Sequence, residues 1–107
     1  MNIANNTILI TGGGSGIGLA LAKAFSKHRN TIILIGRNEQ KLIKATQQIP
    51  NSKYYCCDLT VEPELNKCIA TVTIDYPNLN VIINNAGLMQ VENVFEGHHF
   101  NSSEKKQ

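Results

Sequence analysis

Residues 7–18 read TILITGGGSGIG, and this stretch decides how the chain folds. Thr7 to Thr11 is a β-branched and apolar run, the composition of a strand. Glycine then fills five of the seven positions from Gly12 to Gly18. Such density costs backbone order, so it marks a place where bare backbone is required. A strand, a glycine turn and a helix in succession form an anion site. The helix N-terminus offers unpaired N–H groups and partial positive charge, and the missing Cβ atoms let a pyrophosphate come close. The spacing is Gly12-x-x-x-Gly16-x-Gly18. It is neither the standard G-x-G-x-x-G fingerprint nor a Walker loop, because no Lys-Ser or Lys-Thr follows. Its position, in the first βα unit of a βαβ series, points to a dinucleotide.

Working outward, Ile17, Ala20, Leu21, Ala24 and Phe25 fall at helical spacing, which predicts a helix from about Gly16 to His28. Thr31 to Ile35 is a second, nearly all apolar strand. Asn38 can cap the next helix, with Glu39 in its first turn. Leu42, Ala45, Thr46 and Ile49 form its inner stripe, and Pro50 ends it. Lys53 to Cys57 is expected as a third strand. Thr60 is the expected N-cap of a third helix with Leu65, Cys68, Ile69 and Val72 on its inner face, closed by Pro77. Leu79 to Asn84 is the expected fourth strand. The alternation β-α-β-α-β-α-β, with strands apolar along most of their length, implies an α/β fold with a parallel sheet covered on both faces. Right-handed crossovers in a Rossmann-like, doubly wound arrangement place the strands in the order 3-2-1-4. Residues 1–87 are therefore expected to form the ordered half-domain. Beyond Gly87 a short helical turn over Val91 to Glu96 is expected, and 88–107 reads as a short tail, polar from Gly97 and poorly ordered.

Composition narrows the function classes. The chain has 107 residues and a formal charge of +2. That balance gives no electrostatic case for nucleic acid or an anionic membrane. The longest aliphatic run, Ile32 to Ile35, is far too short to span a bilayer. The leading MNIANN has neither a basic cluster nor an apolar segment, so no signal peptide is expected. Three cysteines, an odd number, do not suggest a disulfide framework. A reduced, cytoplasmic location is the expectation. Cys56 and Cys57 are neighbours on a strand and face opposite sides. His98 and His99 lie outside any metal-ligand spacing with the cysteines, so no metal site is expected.

At this point four pieces of the chain resemble one family, the short-chain dehydrogenases/reductases. TGGGSGIG resembles the family's TGxxxGIG motif, with Gly12, Gly16 and Gly18 at the motif glycines. Gly36-Arg37-Asn38, with Leu42 beyond it, resembles the turn after the second strand. Cys57-Asp58-Leu59-Thr60 resembles the Asp-Leu/Val motif after the third. Asn84-Asn85-Ala86-Gly87 resembles the NNAG motif at the end of the fourth. The resemblance spans Thr7 to Gly87 with all four motifs in order.

The resemblance implies a nicotinamide dinucleotide as cofactor. Gly12, Ser15, Gly16, Ile17 and Gly18 would line its phosphates and ribose, with Gly18 also serving close helix–strand packing. Asp58 would hydrogen-bond the adenine amino group, with Leu59 beside it, and would also cap its own loop. Asn85, Ala86 and Gly87 would lie under the cofactor ribose or tie the fourth strand to its neighbours. A carboxylate at the end of the second strand would hold the adenine ribose hydroxyls. That place holds Gly36 and Arg37, and a guanidinium pairs with a 2′-phosphate. NADP is therefore favoured, with NAD left open.

The family's chemistry is hydride transfer, which uses a serine and a Tyr-x-x-x-Lys pair beyond the NNAG motif. Tyr54, Tyr55 and Tyr76 all precede it, and four places on from them stand Asp58, Leu59 and Asn80. No catalytic residue carries over. The expectation is the cofactor-binding part of an NAD(P)-dependent oxidoreductase, truncated and inactive alone. The alternative is a non-catalytic nucleotide-binding or regulatory module that pairs with another subunit. A homo- or hetero-oligomer through the open edge of the strand at 79–84 is expected in either case.

Overall fold

A computed structural model of the chain describes residues 3–14 and 16–85. Four strands, β1 (Thr7–Thr11), β2 (Thr31–Gly36), β3 (Ser52–Cys56) and β4 (Val81–Ile83), alternate with three helices, α1 (Gly16–Ser26), α2 (Glu39–Gln48) and α3 (Glu62–Asp75). The sheet is parallel throughout, in the order β3-β2-β1-β4. That is the order the sequence predicts. β1 and β2 are central, and Ile8, Leu9 and Ile10 pair with Ile32, Ile33 and Leu34.

The two faces of the sheet follow from the two-residue strand period. Ile8, Ile10, Ile32 and Leu34 point to one side and pack with Ala22 of α1 and Leu42 and Ala45 of α2. Leu9, Ile33 and Ile35 point to the other and meet Leu65, Ile69 and Val72 of α3. Burial on both faces is why β1 and β2 are apolar without alternation. Each fully buried Ile or Leu here is worth about 2 kcal/mol of transfer free energy.

Several element boundaries differ from the sequence reading, each for a local reason. α1 stops at Ser26 rather than His28. The Ser26 hydroxyl donates to the Lys23 carbonyl at 2.7 Å, and the chain leaves through Arg29 at φ 58°. In α2 the cap is as expected, since the Asn38 side chain accepts from the Lys41 N–H. Ile49 is buried but stands just past the helix in extended conformation. β3 runs one residue earlier than expected, Ser52–Cys56. Cys57 is buried beyond the strand, and its N–H still donates to the Gly36 carbonyl at 2.9 Å. α3 starts at Glu62 with Val61 at its cap and no side-chain cap bond, so Thr60 is not the N-cap. Its hydroxyl is taken by Asp58 instead. Cys68 is half-buried against the α3-side core. β4 is only Val81–Ile83. Leu79 is buried as core rather than as strand, and Asn80 and Asn84 flank the ladder. The turn at Val91 to Glu96 and the tail lie outside the described residues, as do Ser15, Ala86 and Gly87 of the expected site.

Candidate functional site: the glycine-lined cleft at the carboxyl end of the sheet

In an open parallel α/β sheet, ligands bind outside the carboxyl ends of the strands. The glycine turn sits there, between β1 and α1. The Gly12 N–H donates to the Ile35 carbonyl at 2.8 Å, which extends the β1–β2 pairing by one rung. Gly12 then turns at φ 68° and Gly16 enters α1 at φ 61°, both in the left-handed region that favours glycine. Gly18 serves close approach. A Cβ there would collide with the Gly12 carbonyl oxygen and lie 2.9 Å from Asn85 Nδ2. α1 can therefore press its first turn onto the strand end only through a glycine. Asn85 is exposed at the end of β4, and its Nδ2 donates to the Gly12 carbonyl at 3.4 Å. Thr11, fully buried, donates its hydroxyl to Asn84 Oδ1 at 3.2 Å. The glycine turn and the Asn84-Asn85 pair, 73 residues apart in sequence, are thus joined across the strand ends.

Beside the turn opens a cleft of about 300 Å³, lined by Gly12, Gly14, Gly36, Arg37, Asn38, Lys41 and Leu42. One wall is bare loop backbone. The other is the first turn of α2, whose Asn38 cap holds the Lys41 N–H at 3.2 Å. Arg37, Asn38 and Lys41 are exposed, while Leu42 is buried and forms the apolar floor. The cleft has two cations and no carboxylate among its lining residues. Glu39 is drawn aside, accepting from the Tyr54 hydroxyl at 3.1 Å.

Asp58 stands after β3, beyond the cleft lining. Its Oδ1 accepts from the Thr60 hydroxyl at 2.6 Å and the Thr60 N–H at 2.9 Å. Those two bonds hold its carboxyl below the usual carboxylate range, with a smaller push from the Arg37 charge. Asp58 is therefore ionised and close enough to Arg37 to feel it. Leu59 points its side chain into the α3-side core. Ile17 is 72% exposed on the first turn of α1 and offers apolar surface at the mouth of the glycine turn.

Of the residues expected from sequence, the cleft lining brings together Gly12 and Arg37. Gly16, Ile17, Gly18 and Asn85 surround the neighbouring turn, and Asp58 and Leu59 lie one loop further on. Lys41 was missed as a site residue. Its signal was available in the spacing, since it stands three residues after the cap Asn38, on the first turn facing the glycines.

All three tyrosine hydroxyls are shifted in the same direction. Tyr54 is raised above its ordinary value chiefly by its hydrogen bond to Glu39. Tyr55 is raised by burial and by its 2.7 Å bond to Asp75, and Tyr76 by burial. A general base needs the opposite shift. Among the described residues no group of three His, Cys, Asp or Glu side chains could hold a metal ion. Nor is any described helix long and apolar enough to cross a membrane.

A parallel sheet in this order, with a glycine turn between its first strand and helix, defines a Rossmann-like nucleotide-binding architecture. The short chain dehydrogenase family model matches residues 6–105, and the chain belongs to that family of oxidoreductases. It is 43% identical over 90 residues to the uncharacterized oxidoreductase DltE of Bacillus subtilis, covering 84% of this chain and 36% of that protein. An uncharacterized oxidoreductase of Saccharomyces cerevisiae is 38% identical over 88 residues, covering 82% of this chain and 28% of the relative. Among solved structures, an NAD+-bound xylitol dehydrogenase superposes with a TM-score of 0.75 at 28% identity, covering 81% of this chain and 35% of that one. A citronellol catabolism dehydrogenase of Pseudomonas aeruginosa gives a TM-score of 0.73 at 26% identity, covering 88% and 43% of the two chains. The chain thus spans about a third of the length of the curated relatives it matches, 36% of the Bacillus protein.

Proposed function

We propose that this chain supplies the adenosine-phosphate half of a nicotinamide dinucleotide site, with NADP preferred over NAD. The observation that carries the reading is the cleft, where bare glycine backbone faces Arg37 across a lining without a carboxylate. A dinucleotide fits this wall chemically. Gly12 and Gly16 turn at positive φ, and the space a Gly16 Cβ would enter is open, which leaves bare backbone where a pyrophosphate would lie. Arg37 would pair with a 2′-phosphate, where a carboxylate would be needed for a free ribose hydroxyl. Asp58, held ionised, would accept from the adenine amino group, and Asn85 would keep the Gly12 carbonyl turned away from the phosphates.

The bound dinucleotide would supply hydride to, or take it from, a carbonyl or alcohol carbon. The residues described here bind and orient it. Each tyrosine has a raised pKa, which supports assigning proton transfer to residues outside the chain's first 85. The substrate-binding and catalytic parts of a complete oxidoreductase would then come from elsewhere in a longer protein or from a partner chain. A partner would have an edge to use, since among the described residues β4 pairs with β1 alone. Parallel calorimetric titrations with NADPH and NADH test the reading. Saturable binding tighter for NADPH by about tenfold or more is expected, the worth of at least one charge-assisted contact. Equal affinity, or tighter NADH, overturns the preference.

A further inference from the structure

Lys41 lines the same cleft as Arg37, and its placement is fixed by more than its own flexible stem. Its N–H is held by the Asn38 side chain at 3.2 Å, and the next residue, Leu42, donates its N–H to the Asn38 carbonyl at 3.1 Å. Leu42 is then buried at 1% exposure, which pins this turn of α2 to the core. The wall opposite is close: a Cβ built on Gly14 would lie 3.2 Å from the Lys41 Cβ. Lys41 thus lines the cleft beside Gly14, with its side chain exposed. A ribose hydroxyl pair is held best by a carboxylate, which accepts from both hydroxyls, and the cleft lining has none. An ammonium suits a phosphate, whose several oxygens accept from a flexible point charge and a planar guanidinium together. The one carboxylate in this turn of α2, Glu39, is engaged by Tyr54 and does not line the cleft.

We propose that Lys41 is a second specificity-determining residue, which joins Arg37 in binding a 2′-phosphate. The inference rests on the dinucleotide reading above, and it concerns a residue that no motif in the chain marks. Selectivity is then shared between two cations on separate supports, Arg37 on the strand end and Lys41 on the helix.

The test uses fragments that carry only the adenosine half. 2′,5′-ADP and 5′-AMP are titrated calorimetrically into the full chain, wild type and the variants Lys41→Gln, Lys41→Arg and Arg37→Gln, with circular dichroism to confirm folding. Lys41→Gln is expected to weaken 2′,5′-ADP about tenfold and leave 5′-AMP unchanged, the worth of one charge-assisted contact. Lys41→Arg is expected to keep most of the affinity. If wild type binds both fragments and Lys41→Gln changes neither, or weakens both equally, the role of Lys41 is overturned while the dinucleotide site stands. If wild type binds neither fragment, the dinucleotide reading falls and Lys41 falls with it.

Discussion

The two ends of the sheet are built on opposite plans. At the carboxyl end, β1 and β2 run out into glycine turn and cleft, and polar backbone is left facing solvent. At the amino end three asparagines, Asn6, Asn30 and Asn80, tie the strand starts together. Asn30, 1% exposed, accepts from the Asn6 N–H at 2.8 Å and donates to the carbonyls of Ile3 and Phe25. Asn80 accepts from the Thr7 N–H at 2.9 Å and donates to Asn6 Oδ1 at 2.9 Å. Side chains thus bond strand-end groups at both ends, Asn30 and Asn80 at the amino end and Thr11 and Asn85 at the carboxyl end, and the glycine turn is what sets the carboxyl end apart. A buried amide that makes three bonds rigidifies its surroundings and admits nothing. A glycine turn does the reverse. Under the function proposed above, the difference separates the part of the fold that serves stability from the part that serves binding.

That contrast can be broken from either end. The largest effect is expected from Gly18→Val. Its side chain meets the Gly12 carbonyl, a backbone atom that cannot step aside, so α1 must shift. A loss of about 3 kcal/mol in urea unfolding and abolition of dinucleotide binding are expected together. At the other end, Asn30→Ala removes three hydrogen bonds and should cost about 2 kcal/mol in the same unfolding measurement. Binding by the surviving folded protein should be unchanged, because Asn30 does not line the cleft. A parallel loss of affinity would show that the two ends are coupled.

The smallest effect concerns Asp58. Its folded-state carboxyl titrates below the ordinary carboxylate value, chiefly through the Thr60 hydroxyl. The stabilisation from these bonds is complete at neutral pH. It is lost as pH falls below the ordinary carboxylate value and through the lowered one. In Thr60→Val the Asp58 carbon resonance should titrate at higher pH than in wild type. An unmoved midpoint would mean that the backbone N–H alone holds the carboxylate.

How much of this was legible beforehand follows the same division. β1 and β2 announced themselves as unbroken apolar runs, because both faces are covered, and the glycine turn followed from its place between strand and helix. Cys57 and Leu79 misled at the strand ends, since each is buried as core outside the ladder. Burial reads in a sequence, but whether a buried residue sits inside or just past a strand does not. Thr60 looked like a helix cap and is a turn partner of Asp58, a competition between two short-range bonds that spacing does not resolve. The asparagine closure was invisible, for its partners lie up to 74 residues apart. Lys41 was half visible: its position relative to the cap was in the sequence, and its approach to Gly14 was not.

The carboxyl end of the sheet is the proposed dinucleotide site, and the amino end is proposed to be structural. The most direct measurement is amide chemical-shift mapping of the labelled chain with added NADP+. Saturable shifts confined to Gly12, Gly14, Arg37, Asn38 and Lys41 and their neighbours, with Asn6, Asn30 and Asn80 unmoved, are the expected result. Shifts centred on the asparagine end, or none at any residue at saturating dinucleotide, would contradict it.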